Sequence, residues 1–430
     1  MQIASDKPGS RLLNIPLNPF RRLESGRRFC FFCSLLVVVA LTVNALGDDW
    51  YRWRGPHDNG ISTETQWSHN WTGAPAIAWT AQVGTGFSSL VISDERVYTL
   101  GHSDEHEQVL CLSAQDGTPI WQYRYPAPLD DRDFEGGSIS TPTVDDDHLL
   151  VLSRMGAAMC FDKVTGELVW QVDVAEQTQV RAPGWGFAAA PVVVGSLVLL
   201  GVGESGAALD KHTGELVWSS RDREAGYGTP SLLLAAEKPQ AIFASSRSYT
   251  GVDVATGEVV WTERWLTTFG CNAADALVNG DQFFVSSGYN RGSALFTLID
   301  NQPQEQWKHK ELQNQLHTSL LYGGHIYGID GDMQAGASIK CLEWETGQVK
   351  WSSADVRAGG MTLAGDRLII LSDSGELLVA QATPDLFSIL ARGAVLDGKC
   401  WTAPVLSNGQ IYCRSVDGQL ACVDVRNENK

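Results

Sequence analysis

Four groupings in this 430-residue chain have the residue types and spacing that chemistry requires. His102 and His106, with Asp104 and Glu105 between them, spell a metal-ligating cluster. The polar run around them predicts a solvated hairpin tip instead. Gly201-Val-Gly203-Glu-Ser-Gly206 spells the dinucleotide-binding GxGxxG. That fingerprint must open a helix in a βαβ unit, whereas this copy joins two strands. Asp330-Gly-Asp332, with Asn290, offers the hard oxygen ligands that calcium takes. The same letters are ordinary turn formers. Cys30-Phe-Phe-Cys33 has CxxC spacing but lies in an apolar run and is followed by Ser34 rather than His. Covalent haem attachment is thereby excluded. There is no P-loop and no GxSxG elbow. No catalytic set emerges, and no metal site is assigned.

The charge balance removes further function classes. Residues 1–47 carry six basic residues against two acidic ones. The rest keeps 26 of the 32 basic and 48 of the 50 acidic residues, a balance of −22. Such a body repels phosphate backbones, so nucleic-acid binding is not expected. Arg27-Arg28 precedes a 15-residue apolar run over 29–43, short for a bilayer span of roughly 20 residues. Val43-Asn44-Ala45 then supplies the small residues of a cleavage site. Residues 1–45 are therefore expected to be a signal peptide, or an uncleaved anchor. No later segment reaches membrane length. The chain is expected to be exported, periplasmic or extracellular, and monomeric.

The elements that would position any site are written as a repeat. It runs Cys111-LSAQDGTPI-Trp121, Cys160-FDKVTGELV-Trp170, Ala208-LDKHTGELV-Trp218, Gly251-VDVATGEVV-Trp261 and Cys341-LEWETGQVK-Trp351, with a worn copy from Thr297 to Trp307. Trp121, Trp170, Trp218, Trp261, Trp307 and Trp351 are spaced by 49, 48, 43, 46 and 44 residues. That period is one four-stranded propeller blade. In the second unit, strands are expected at 139–144, 149–153, 158–162 and 168–172, with tight turns between. No helical periodicity stands out beyond the amino-terminal run. A seventh unit over 360–391 keeps the strand rhythm without the motif, and an eighth, from Trp401, stops one strand short. A lone strand over 76–82, containing Trp79, should complete it and close the ring.

Seven cysteines remain beyond the amino-terminal pair. Cys111, Cys160, Cys341 and Cys422 share the small third-strand position of the repeat, where a thiol packs as a small hydrophobe. Cys413 is expected opposite Cys422 across the Asp417-Gly418 turn, which leaves a cross-strand disulfide open.

The segment A/C-x-D-x-x-T-G-x-x-x-W closely resembles the tryptophan-docking motif of the pyrroloquinoline quinone (PQQ) propeller superfamily. The leader Trp50-Tyr-Arg-Trp53-Arg54-Gly55-Pro56-His-Asp-Asn-Gly60 is similar to that of secreted bacterial PQQ-like repeat proteins. The resemblance implies an all-β, eight-bladed propeller over 76–430, with 46–75, including Trp67 and Trp71, as a cap across one face. It implies two functional classes. One is the quinoprotein dehydrogenases, which hold PQQ over the channel between a Trp and a disulfide of adjacent cysteines, with calcium polarising the quinone. The other is non-enzymatic propellers that serve as binding platforms, such as the lipoprotein that assists outer-membrane protein assembly. This chain contains no Cys-Cys dipeptide and no CxxCH. The expectation is therefore a binding or scaffold module of the cell envelope. A PQQ- and calcium-dependent dehydrogenase of alcohols or sugars is the alternative.

Ligands meet propellers where loops converge at a channel mouth. Arg154, Glu204, Arg247, Tyr249, Tyr289, Asn290, Arg291, Asp330, Asp332 and Asp373 belong to second-to-third-strand hairpins. Trp185, Phe187, Tyr227, Asn272, His317 and Trp401 precede first strands. Aromatic surface beside hydrogen-bonding groups suits an envelope protein, a peptide or a small polar ligand. Arg154, Trp185, Glu204, Arg247, Asn290, Arg291, His317, Asp330 and Trp401 are taken as the mouth.

Overall fold

A computed structural model describes residues 49–426, apart from 133, 221–224 and 235–237. The expected signal segment, with Cys30 and Cys33, lies outside the described residues. The rest forms an eight-bladed β-propeller of antiparallel sheets. Blades 1 to 7 span 91–126, 143–173, 192–219, 231–264, 277–309, 320–353 and 358–394. Blade 8 takes three strands from 405–424 and its outermost, Ile77–Gln82, from the far end of the chain. Trp79 sits opposite Cys422 in that closing pair. No helix among the described residues is long and apolar enough to cross a membrane.

The repeat's letters each have a mechanical job. In blade 2, Asp162 Oδ1 accepts from the backbone N–H groups of Val164 and Thr165 and from the Thr165 hydroxyl, which folds the third-to-fourth-strand turn. Gly166 follows at φ +75°, and a Cβ there would lie 2.5 Å from the Trp121 ring of the preceding blade. Glycine is required by both the left-handed backbone and the indole laid against it. That indole donates its N–H to the Lys163 carbonyl at 3.0 Å. Trp79, Trp170, Trp218, Trp307 and Trp351 likewise reach carbonyls of Ala114, Lys211, Val254, Trp344 and Thr383 in the following blade. Trp261 differs because blade 5 lacks the glycine turn. It stacks on Phe283 at 4.9 Å and donates to the Gln240 side chain, whose amide passes on to Asn301.

Three sequence expectations change. The innermost strands are shorter, with blade 2 opening at Thr143–Asp145 rather than at 139. A single helical turn, Val174–Thr178, follows blade 2, capped by the Asp173 side chain. Cys413 faces Ala421, and Cys422 faces Tyr412, so the expected cross-strand cysteine pair does not form. The connection between these strands is longer than the two-residue turn the sequence suggested. That one-residue change of register sends the two thiols to opposite faces of the sheet. All seven described cysteines are free and buried.

The leader runs beneath the mouth. Trp50 bridges to Ile92 in blade 1, Arg54 donates to the Ser319 carbonyl at blade 6, and Ile61–Ser62 pairs in parallel with the innermost strand of blade 7. Trp67 then packs among residues of blades 7 and 8.

Candidate functional site

Where the segments preceding the first strands converge, they enclose a cavity of about 210 Å³. Its walls are aromatic: Phe87, Phe134, Trp185, Tyr227, Tyr289 and Trp401, with Trp53 contributed by the leader. Trp185 and Tyr227 lie 5.4 Å apart between ring centroids, and Phe87 touches both Phe134 and Trp401 at 5.9 and 6.2 Å. Several of these rings sit on segments whose backbone is pinned to a neighbouring blade. Phe87 N–H, for example, donates to the Ser138 carbonyl, and Tyr227 N–H to that of Asn272.

The polar groups of the lining are largely occupied with one another. Asp275 accepts from Trp53 Nε1 at 2.8 Å and from the Thr229 N–H at 2.6 Å. The Thr229 hydroxyl accepts from Ala190 N–H, and that of Thr141 from Ser89 N–H. Gln315 accepts from Met333 N–H and donates to the Tyr289 hydroxyl. One lining group stands apart. The buried Nε2 of His317 has no hydrogen-bond partner among the described residues.

Burial sets the protonation states here. It raises the Asp275 carboxyl, opposed by the neighbouring Arg54 guanidinium and by the Trp53 bond, and it lowers Arg54 in turn. Burial pushes the Cys271 thiol up to about 11, which removes it as a nucleophile at neutral pH. His317 is pulled down to about 4 by burial, against a raising contribution from the Gly359 backbone. A backbone group that favours the protonated ring must be accepting from a ring N–H. At neutral pH the ring is therefore the neutral imidazole.

Of the residues selected from sequence, Trp185, His317 and Trp401 line this cavity, together with Tyr227 and Tyr289. The charged ones do not. Arg154 is buried and paired with Asp130 at 3.0 Å. Asp330 holds Lys340 at 2.9 Å and the Gln313 N–H at 2.8 Å, while Asn290 accepts from Lys310 and Asp332 from Gln334 N–H. The calcium set suggested by Asp330, Asp332 and Asn290 is thus engaged elsewhere. Arg291 lies 3.5 Å above the Trp265 ring, and Asp373 pairs with Arg357. Glu204 and Arg247 border a separate depression with Arg264 and Phe269. Phe187, Asn272 and Tyr249 are buried beneath the loops. His102 is also buried, inside a strand rather than at its tip, with Nε2 at the Ala127 carbonyl. Gly201–Gly206 joins two strands of blade 3, as the spacing implied. Sequence reasoning missed Trp53, Phe134, Asp275 and Gln315. The WxxWRGP leader was a visible signal for the first.

These residues do not fit PQQ with calcium. PQQ carries three carboxylates, and the lining contains no Lys or Arg. Calcium takes six to eight oxygens, and the one carboxylate present has both oxygens engaged. Cys271 is the only cysteine on the wall, so no pair of adjacent thiols faces a bound ring.

A family model described as outer membrane protein assembly factor BamB matches residues 106–353. The chain is 24% identical over 341 residues to outer membrane protein assembly factor BamB of Shewanella oneidensis, covering 74% of this chain and 82% of that one. Among solved structures, BamB from Moraxella catarrhalis superposes with a TM-score of 0.60 at 17% identity, over 82% of this chain and all of the other. A europium-containing methanol dehydrogenase gives 0.65 at 12% identity, over 87% and 89%. Both likenesses are of fold.

Proposed function

The chain belongs to the PQQ-repeat propeller family described by outer membrane protein assembly factor BamB, and from that premise we propose that it is an exported, non-enzymatic scaffold. Its aromatic mouth takes an extended polypeptide segment of another envelope protein. The observation that carries this reading is the composition of the mouth. It has broad apolar ring surface, while its carboxylate is held by bonds within the wall. Such a wall supplies binding surface without a poised acid, base or nucleophile. The likeness to assembly factors and the export signature over 27–45 support the same direction.

The test is reconstitution with the rival ligand. Purified protein incubated with PQQ and calcium, then gel-filtered, should elute without quinone absorbance and show no dye-linked oxidation of alcohols or aldoses. Co-eluting quinone together with turnover would overturn the proposal.

A further inference from the structure

Taken whole, the chain beyond residue 47 repels acidic partners, with a balance of −22. Cations on the face that carries the mouth are commonly answered by the fold itself: Arg154 pairs with Asp130, Lys340 with Asp330 and Arg357 with Asp373. Arg247 and Arg264 are different. Both are exposed, and neither makes an ion pair among the described residues. Arg247 sits in the hairpin between Gln240–Ala244 and Ser248–Asp253 of blade 4, and Arg264 ends that blade's outermost strand, Val259–Arg264. Ser248 pairs opposite Arg264, and the two arginines border one open depression of about 670 Å³. The acidic neighbours are used elsewhere. Glu263 alternates to the other face of the strand, where Lys308 and Arg291 act on it, and Glu204 accepts from the Ser248 hydroxyl at 3.4 Å. The depression also carries apolar surface, since Leu266 and Phe269 are 42% and 65% exposed. Phe269 meets Tyr289 edge-on at 5.1 Å between ring centroids, and Tyr289 lines the mouth cavity. One ring pair therefore separates the mouth from the depression.

Resting on the polypeptide reading above, we propose that the held segment leaves the mouth across Phe269 and that the stretch lying in this depression is acidic, with its carboxylates on Arg247 and Arg264. An apolar residue between those carboxylates covers Leu266 and Phe269. An extended chain advances about 3.3 Å per residue, so about two or three residues carry it past the Phe269–Tyr289 pair. Each carboxylate gives a guanidinium the counter-charge that the fold withholds. The pair acts as a selector because it opposes the field of the whole molecule. That field alone draws basic segments, whereas local complementarity at the depression favours acidic ones and sets the direction in which the segment runs.

The experiment titrates the full folded chain calorimetrically with acetylated, amidated Trp-Val-Trp-Gly-Gly-Asp-Leu-Asp and with its counterparts carrying Asn or Lys at both Asp positions. At low salt the Asp peptide should bind about tenfold more tightly than the Asn peptide. In about 1 M salt, where charges are screened beyond about 3 Å, the two should converge. In the double variant Arg247→Gln/Arg264→Gln, the Asp peptide should fall to the Asn affinity while the Asn peptide stays unchanged. Both arginines are exposed and unpaired, so this variant is expected to fold. Phe269→Ser should weaken all three peptides alike, because it removes apolar surface and no charge. Equal binding of the Asp and Asn peptides would overturn the acidic exit and leave the polypeptide mouth standing. So would tightest binding of the Lys peptide, or an Asp preference that survives the double variant. No binding of any of the three would overturn both.

Discussion

Replacing Asp275 with alanine is expected to lower folding stability by about 3 kcal/mol, because the Trp53 indole and the buried Thr229 N–H lose their acceptor at once. Asp275 precedes the first strand of blade 5, and it is where the leader is tied to the ring. It accepts from Trp53 Nε1, and the buried Arg54 guanidinium faces it. Arg54 Nη2 also donates to the Asn59 and Ser319 carbonyls, which do not balance its charge. In Asp275→Ala that charge stays in the interior with only the weaker pull of Asp58, and the Trp53 indole loses its anchor at the cavity wall. Arg54→Met in the same background should recover a large part of the loss. Urea unfolding of both single variants and the double variant would measure this as a coupling energy. Additive losses would contradict it.

Arg414→Met is expected to cost about 3 kcal/mol, because several buried acceptors lose their donor at once. Arg414 ends the second strand of blade 8 and is 1% exposed. Nη1 donates to the Ser88 and Leu100 carbonyls and to the Thr99 hydroxyl at 2.6–2.7 Å, and Nη2 donates to the Gly84 carbonyl at 3.0 Å. Every one of these acceptors belongs to the loop before blade 1 or to blade 1 itself. The guanidinium therefore sews the last blade to the first. Burial pulls its pKa down to about 9, and the four acceptors offset that desolvation. Arg414→Lys should not rescue, since a single ammonium cannot reproduce the planar fork. Hydrogen exchange should show the loss concentrated in 84–100 and 410–424. Uniform deprotection around the ring would contradict a seam-specific role.

The ring was readable because each blade spells its own turns. Asp162, Thr165 and Gly166 act on neighbours a few residues away, so period and punctuation suffice to place a blade. Closure followed from counting strands, and Trp79 does meet Cys422. Contacts between distant segments were not readable. Trp53 meets Asp275 across 222 residues, and nothing near either residue announces the other. Charged hairpin residues misled for a related reason. From sequence, Arg154 and Asp330 look free to bind a ligand. In the fold, the neighbouring Asp130 and the facing strand's Lys340 neutralise them. Of the aromatic residues ahead of first strands, Trp185, Tyr227 and Trp401 line the cavity, while Phe187 is buried beneath it in the packing of the blades. The cysteine pairing failed on a single residue of register in the last hairpin.

The most direct test of the mouth places a photoreactive benzoylphenylalanine at Gln334, an exposed residue on the cavity rim, and illuminates the protein in its native envelope. The control carries the same group at Leu216 on an outer strand. If the mouth holds polypeptide, mass spectrometry will find peptide adducts from position 334. Trp185→Ala should diminish them, and position 216 should not give them. Equal labelling from both positions, or adducts to a quinone in place of peptide, would contradict it.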